Sequence, residues 1–514
     1  MAPLSANPVE FTLNGAPAVS ADGHTLLEAL RELGITSAKD GCSPQGQCGC
    51  CTVWVDGAPR VACVTPLARV AGRSVTTLES LPDAAEWGQR MCATGGSQCG
   101  FCTPGIIMRV AAIPAAQRTE ASVRQALLAH LCRCTGWNTI VEAALMPAAE
   151  VPIGTGWSRH LGAAAQRAAL EGGADQLVSP DVALGHGGFA ADTAPADSLV
   201  AVLDEHGEWV VGETLAAARA ASGKVQGRRT TESLRWPVDL PDGDWVRTLQ
   251  TTWVEPAYLE TDAAWCRPGG DPVGPLCNGG AFGGKTGGHL GAVARRLADE
   301  HDRPVLAMYS REDVVRLGAK RPPLAAGVRA DGSGVVRVAR TPGIVDAIRS
   351  VAPQWTVEEV DVVGPSTSAE VRAAGWVEVA ALLASDDGWV TAPNGASAQA
   401  SVDPSGVVHV RVRCGAPLDD AVLRSYCIGA AHMALGWVRQ EGITVGDDGV
   451  PRDLTIRSFG VLRAVDMPVV HVAIDDGGGD AGEPVNGSDA VFAAVAAAAW
   501  RAGGFAPRWP TMRT

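Results

Sequence analysis

No apolar run in this chain reaches the ~20 residues that a membrane-spanning helix needs, so none is expected. The N-terminal MAPLSANPVEF has neither a basic segment nor an apolar stretch, and no secretory leader is read there. Basic residues are in deficit: 42 Lys and Arg stand against 56 Asp and Glu, a formal charge of −14. That balance excludes a broad nucleic-acid surface, which needs positive charge. Charged residues make up only 19% and hydrophobic ones 46%, which excludes general disorder. No internal repeat of 20–50 residues is found. At 514 residues, two to four domains are expected, in a cytoplasmic protein.

Glycine and cysteine are abundant, at 61 and 14 residues. The cysteines are uneven. Cys42, Cys48, Cys50, Cys51, Cys63, Cys92, Cys99, Cys102, Cys132 and Cys134 precede residue 135; Cys266, Cys277, Cys414 and Cys427 are scattered. In a reducing compartment, such clustering reads as metal-binding or redox-active rather than disulfide-forming.

Local patterns place these residues. VEFTLNG (9–15) alternates and ends in Asn-Gly, a strand entering a hairpin. TLLEALRELGI (25–35) puts Leu26, Leu27, Leu30 and Leu33 on one helical face, stopped by Gly34. CTVWVDGAPRVACV (51–64) is a second hairpin turning at Asp56-Gly57. Two hairpins around a helix predict a small β-grasp domain. Helices are predicted after Thr103-Pro104, after a Ser122/Gln125 capping-box pattern, and after Asn138. Further on, VVHVRVRC (407–414) reads as a strand and AVFAAVAAAAWRAGG (490–504) as an apolar helix.

GCSPQGQCGCCTV places Cys42, Cys48 and Cys51 in a glycine-rich loop, with Cys63 returning from the hairpin. An iron–sulfur cluster needs four converging thiolates and nearby backbone N–H groups, and a glycine-rich loop supplies both curvature and amides. The spacing is close to C-x4-C-x2-C…C, with a first gap of five. Cys50 is surplus and is read as a non-ligand, because Cys51 keeps the C-x2-C step from Cys48. QCGFCTPG (98–105) and CRCTG (132–136) provide a C-x2-C and a C-x-C at helix ends, and Cys92 reads as a core residue. A structural zinc site is the alternative for the first group.

Residues 1–148 resemble the iron–sulfur portion of the xanthine dehydrogenase/aldehyde oxidase family of molybdenum hydroxylases, through GQCGCCTV, QCGFCTPG and LCRCTGW in order. The resemblance implies two [2Fe-2S] clusters, held by Cys42, Cys48, Cys51 and Cys63, and by Cys99, Cys102, Cys132 and Cys134. It implies an α+β multidomain chain: a ferredoxin-like β-grasp domain (1–82), a four-helix-bundle domain (83–149), a linker (150–185), and a shortened α/β molybdopterin-binding-like domain (186–514).

GGAFGGKT (279–286) fits the P-loop pattern, but glycines interrupt the helix that should follow. It resembles more closely the glycine loop of the family's molybdenum subunit. WVEPAYLE (253–260), RPVLAMYSREDVV (303–315), RAAGW (372–376) and DAGEPVNGSDAVFAAV (480–495) resemble neighbouring family segments. The resemblance implies Gln98, Gly280, Phe282, Gly283 and Arg372 as molybdopterin contacts and Glu483 as catalytic base. The Gln-Gly-x-Gly-Thr cofactor loop of the family has no counterpart here, nor has its flavin domain. The favoured expectation is therefore an electron-transfer subunit, relaying electrons between a molybdopterin-binding large subunit and an FAD-binding subunit. The alternatives are a self-contained or shared hydroxylase site using Glu483, and an iron–sulfur redox sensor.

Overall fold

The structure is a computed structural model describing residues 8–152, 159–224, 227–277, 279–285, 289–385, 388–475 and 482–513. It begins with a five-stranded sheet in the order β2-β1-β5-β3-β4: β1 (Pro8–Leu13), β2 (Ala16–Ala21), β3 (Thr52–Val55), β4 (Ala58–Val61) and β5 (Ser74–Thr76). Asn14-Gly15 and Asp56-Gly57 make the two hairpin turns, all four with positive φ, as such turns require. Helix α1 (Leu26–Glu32) starts in a Thr25/Glu28 capping box and buries Leu26, Leu27 and Leu30. Leu33, expected on the same face, is the C-cap and lies exposed, because the helix ends before it.

Four helices follow: α2 (Ala84–Thr94), α3 (Thr103–Ala111), α4 (Glu120–Ala126) and α5 (Asn138–Leu145). Pro104 sits in the first turn of α3, where its missing N–H costs nothing. The cap of α4 is Thr119 paired with Ser122, three residues earlier than the Ser122/Gln125 pair. Thr119 is the extended residue whose hydroxyl can reach the free N–H of Ser122.

The 150–185 stretch is not a bare linker. It carries α6 (Leu161–Gly172) and α7 (Pro180–Ala183), with residues 153–158 outside the described set. Arg167 of α6 is fully buried and donates to the carbonyls of Ala416, Pro417 and Val485, so the segment is packed into the later half of the chain.

Among the described residues, the remainder holds three four-stranded sheets. One combines Trp209–Gly212, Leu199–Leu203, Val305–Met308 and Ala263–Cys266, with the helix His289–His301 on one face. A second combines Thr356–Val360, Gly334–Ala339, Leu324–Val328 and Arg247–Gln250. The third combines Trp389–Thr391, Ser397–Val402, Val408–Arg413 and Val470–Ile474. It is covered by the helices Asp420–Arg439 and Ser488–Ala502, which pack on each other through small residues and a Trp437–Phe492 stack. A continuous apolar core runs from Val9 and Phe11 through the cysteine-rich region to Trp500 and Trp509. The first sheet, the four helices and the last two sheets thus share one core. Among the described residues, no helix is long and apolar enough to cross a membrane.

Candidate functional site

All fourteen cysteines are free and buried. Eight of them gather into two groups. In the loop between α1 and β3, Ser43, Gly46 and Gly49 adopt positive φ and curl the backbone around the Cys42 and Cys48 thiols. The Cys42 sulfur accepts from the N–H of Gln45 at 3.1 Å, and Cys51 Sγ accepts from Cys63 N–H at 3.4 Å. Cys42 contacts both Cys48 and Cys63, and Cys63 contacts Cys51. Hydrogen bonds from Cys48 and Cys63 hold the Cys42 thiol well below its ordinary value, and push Cys48 and Cys63 upward in return.

The second group forms where α3 begins and α5 is about to begin. Cys99 and Cys134 lie 3.7 Å apart, sulfur to sulfur, and Cys102 contacts Cys132. The Cys102 hydrogen bond lowers the Cys132 thiol to about 6, helped by Thr135, whose hydroxyl lies 3.1 Å from the sulfur. Gly100 and Gly136 cannot carry side chains: both have positive φ, and a Cβ would lie 2.2 Å from the Val182 carbonyl or 2.6 Å from that of Ile428.

This donor set fits a two-iron, two-sulfide cluster in each place. Such a cluster takes four thiolates, two to each iron, which matches thiols that come in touching pairs. Backbone N–H groups already aimed at sulfur would stabilise the negative charge a reduced cluster carries. Among the described residues, no group of three or more His, Cys, Asp or Glu side chains closes around a single metal ion.

The two groups abut. Leu131 N–H donates to the Cys48 carbonyl at 3.0 Å, and Gly105 at the start of α3 presses on the Gly49 and Cys50 backbone. Gly49 leaves room for His130, whose ring would be 2.4 Å from a Cβ there. Burial lowers the His130 imidazole to about 3, so it stays neutral, its Nε2 3.1 Å from Thr52 Oγ1.

The residues tied by resemblance to a molybdopterin do not enclose one. Gln98 Nε2 donates to the Cys134 carbonyl at 3.1 Å and to Ser425 Oγ at 2.9 Å, while its buried Oε1 has no partner. Gly280 lies against Cys134, where a Cβ would be 3.0 Å from the sulfur. Gly283 backs onto the Glu370 carbonyl, 1.7 Å from where its Cβ would stand. The Phe282 ring packs edge-on against Tyr426 and lies 4.4 Å from the Arg372 guanidinium. Arg372 is satisfied internally by Asp489 at 2.8 Å, by Ser488 Oγ and by Met433 Sδ. The cavity beside Arg372 measures about 20 Å³, room for a water molecule and far too little for a pterin.

A larger open cleft, about 700 Å³, lies outside the same loop and is lined by Gly283, Lys285, Cys277, Asp262 and Tyr309. Gln98, Phe282, Arg372 and Glu483 do not line it. Asn278 and residues 286–288, including the Thr286 of the P-loop-like pattern, lie outside the described set. Lys285 is held by Glu260 at 2.5 Å. Glu483 is exposed in the loop before the last helix, and residues 476–481 of its Gly/Asp-rich approach lie outside the described set. The expected pterin set is therefore split between a filled interior and an exposed loop, and does not fit the cofactor.

What sequence reasoning missed is the clamp on the second thiol group. Arg133, between Cys132 and Cys134, forms a buried double hydrogen bond with Glu441. Gly429, in the helix Asp420–Arg439, lies so close that a Cβ would stand 1.7 Å from the Cys134 carbonyl. The small residues of SYCIGAAHMALG carried the available signal, because a helix can touch a backbone carbonyl only through glycine.

Residues 6–79 match a 2Fe-2S iron–sulfur cluster binding domain, and residues 77–145 match a [2Fe-2S] binding domain. The chain is 40% identical over 146 residues to the xanthine dehydrogenase iron–sulfur-binding subunit of Escherichia coli O157:H7, covering 27% of this chain and 91% of that one. It is 43% identical over 129 residues to the nicotine 6-hydroxylase small subunit of Paenarthrobacter nicotinovorans, covering 24% and 76%. The match to the xanthine dehydrogenase of Emericella nidulans, 40% identical, covers 30% of this chain but only 12% of that protein. Among solved structures, the aldehyde oxidoreductase of Desulfovibrio gigas superposes with a TM-score of 0.70 over 96% of this chain and 97% of the other, at 13% identity. That likeness shows a shared fold.

Proposed function

The chain belongs to the xanthine dehydrogenase family of molybdenum hydroxylases, through its iron–sulfur subunits, and from that premise we propose that it is an electron-relay subunit. Cys42, Cys48, Cys51 and Cys63 hold one [2Fe-2S] cluster; Cys99, Cys102, Cys132 and Cys134 hold the other. The observation that carries this reading is the meeting of two buried thiol quartets along Cys48–Cys50, where Leu131 N–H reaches the Cys48 carbonyl and Gly105 presses on the Gly49 and Cys50 backbone. When bound, each cluster takes up and releases one electron at a time.

The chain's own residues supply the rest. The curled loops aim N–H groups at sulfur, the shared apolar core excludes water, and Arg133, Gln98 and Ser425 fix the C-x-C loop. The molybdopterin and the FAD reside on partner chains, a large subunit and a flavin subunit. What supports the placement of the molybdopterin is the filled interior around Phe282 and Arg372. The later half of this chain, a shortened molybdopterin-binding-like domain by descent, serves as a jacket for the second cluster. Fourteen unpaired thiols suit a reducing compartment, and the cytoplasm is the proposed location.

The test is anaerobic purification followed by metal counting and electron paramagnetic resonance after dithionite reduction. About four irons per chain, no molybdenum, and two distinct signals are expected. Cys63→Ser should remove one signal and Cys99→Ser the other. Stoichiometric molybdenum on the isolated chain would overturn the relay reading in favour of a self-contained hydroxylase, and zinc in place of iron would overturn both.

A further inference from the structure

The cysteine-rich core and the sheet that contains Leu199–Leu203 and Val305–Met308 do not merge into one apolar cluster. Between them lies a cavity of about 390 Å³. Leu27, Phe101 and Phe189 wall it from the cysteine-rich side, and Val200, Leu306 and Met308 wall it from the sheet. Phe101 stands between Cys99 and Cys102, and its ring lies 3.2 Å from where a Gly41 Cβ would be. The ring therefore belongs to one thiol loop and packs on the start of the other. A mostly apolar cavity of this size, at a seam between two packed units, has the character of a small-molecule site.

The charges around it are already matched. Asp192 takes Arg31 at 2.7 Å and also takes Lys39. Arg219 Nη2 donates to Asp40 at 2.7 Å and to Ser43 Oγ at 2.9 Å. Glu260 is held by Lys285, and the exposed Glu213 by Arg303. Glu28 caps α1 through Thr25, and Glu32 lies 3.3 Å from His24. A charged guest would find no counter-ion, and burying a lone charge is costly. What is left over is N–H: among the described residues, Nε and Nη1 of Arg219 have no partner. Such donors call for a neutral acceptor oxygen.

We infer that this cavity binds a neutral, planar aromatic molecule carrying a carbonyl oxygen, with its rings on the apolar walls and its oxygen accepting from Arg219. Aromatic walls favour an aromatic body, because ring pairs gain beyond the area they bury. The inference goes beyond the relay reading and stands on the cavity alone, whichever metal fills the thiol groups.

The test is equilibrium dialysis of the full, anaerobically purified chain against acetylnaphthalene, naphthalene and naphthoate. One equivalent of acetylnaphthalene should bind, with a Kd of about 100 µM or tighter. Naphthalene, which lacks the acceptor, should bind about tenfold more weakly. Naphthoate, which brings a charge, should also bind more weakly than the ketone. Arg219→Met should erase the advantage of acetylnaphthalene over naphthalene and leave naphthalene itself unchanged. Ala216 lines the cavity from the helix Leu215–Ser222, and Ala216→Trp should fill it and weaken both neutral probes at least tenfold. Ala220→Trp, on the same helix at an exposed position outside the lining, should bind like the parent. The inference is overturned if the parent shows no saturable binding, if naphthoate binds as tightly as the ketone, or if Arg219→Met keeps the ketone's advantage. It is also overturned if Ala216→Trp binds like the parent, or if the two Trp variants lose binding equally. Zinc in place of iron would overturn the relay reading and leave these binding results as they are.

Discussion

Arg133 and Glu441, 308 residues apart in the chain, are joined by two parallel hydrogen bonds of 2.7 and 2.8 Å, and neither side chain is more than 4% exposed. Arg133 also donates to the Pro256 carbonyl at 2.9 Å. Burial alone pushes the Glu441 carboxyl upward, and Arg133 pulls it back. A charge this deep is tolerated only while paired. Because Arg133 stands between Cys132 and Cys134, the pair fixes the loop that presents both thiols.

Glu441→Ala should therefore destabilise the chain by about 3–5 kcal/mol, by leaving the guanidinium buried and alone. Urea denaturation gives the magnitude. The double variant Arg133→Met with Glu441→Leu should lose less than either single change, since both charges are then gone. Equal or additive losses would show that the two residues do not act as a pair. The signal assigned to the second cluster should broaden or vanish in Glu441→Ala while the first persists.

Gly429 permits the closest approach to the same loop. A Cβ there would overlap the Cys134 carbonyl, 1.7 Å away, and neither backbone can yield without shifting the helix Asp420–Arg439. Gly429→Ala should cost more than the 1–3 kcal/mol typical of overpacking, and Gly429→Val more again. Ala430→Gly, one residue on, carries only the helix-propensity cost of ~1 kcal/mol together with its lost burial. The comparison of melting temperatures separates contact from helix weakening.

How much of this was readable beforehand follows from the range of each interaction. The hairpins turn on adjacent pairs, Asn14-Gly15 and Asp56-Gly57, and α1 is capped within four residues, so the sequence pattern reaches them. The thiol groups are nearly as local, since each is built from two short motifs. Arg133 with Glu441, Gln98 with Ser425 and Trp137 with Leu462 span about three hundred residues each, and no periodicity encodes such a pairing. The pterin expectation for Phe282 and Arg372 rested on short motifs. Motifs record descent, whereas the space beside them depends on what packs behind, here Tyr426, Ser488 and Asp489.

Glu483 gives a sharp case. It is exposed, and surface substitutions of this kind usually change stability by less than ~0.5 kcal/mol. In a complex reconstituted with its molybdenum and flavin partners, Glu483→Gln should leave turnover within about twofold of the parent. A fall of several orders of magnitude would make Glu483 the base of a site shared across the subunit boundary.

Acid sensitivity should trace in part to His432. This side chain is fully buried in the helix Asp420–Arg439, its Nε2 lies 3.0 Å from the Leu462 carbonyl, and burial lowers its imidazole from 6.5 to about 4. Above pH 6.5 neither the folded nor the unfolded chain holds the extra proton, so the group contributes no pH dependence there. Between 6.5 and about 4 the unfolded chain takes up a proton that the folded chain refuses, so stability falls as the pH falls. At ~1.4 kcal/mol per unit, the loss attributable to this residue is at most about 3 kcal/mol, complete near pH 4. His432→Gln cannot titrate, and a Gln amide can still donate toward Leu462. Measured by urea at pH 7.5 and 4.5, the parent should lose up to that much more stability than His432→Gln over the same interval. Parallel losses in the two proteins would assign the acid sensitivity elsewhere, to the buried carboxylates and thiols.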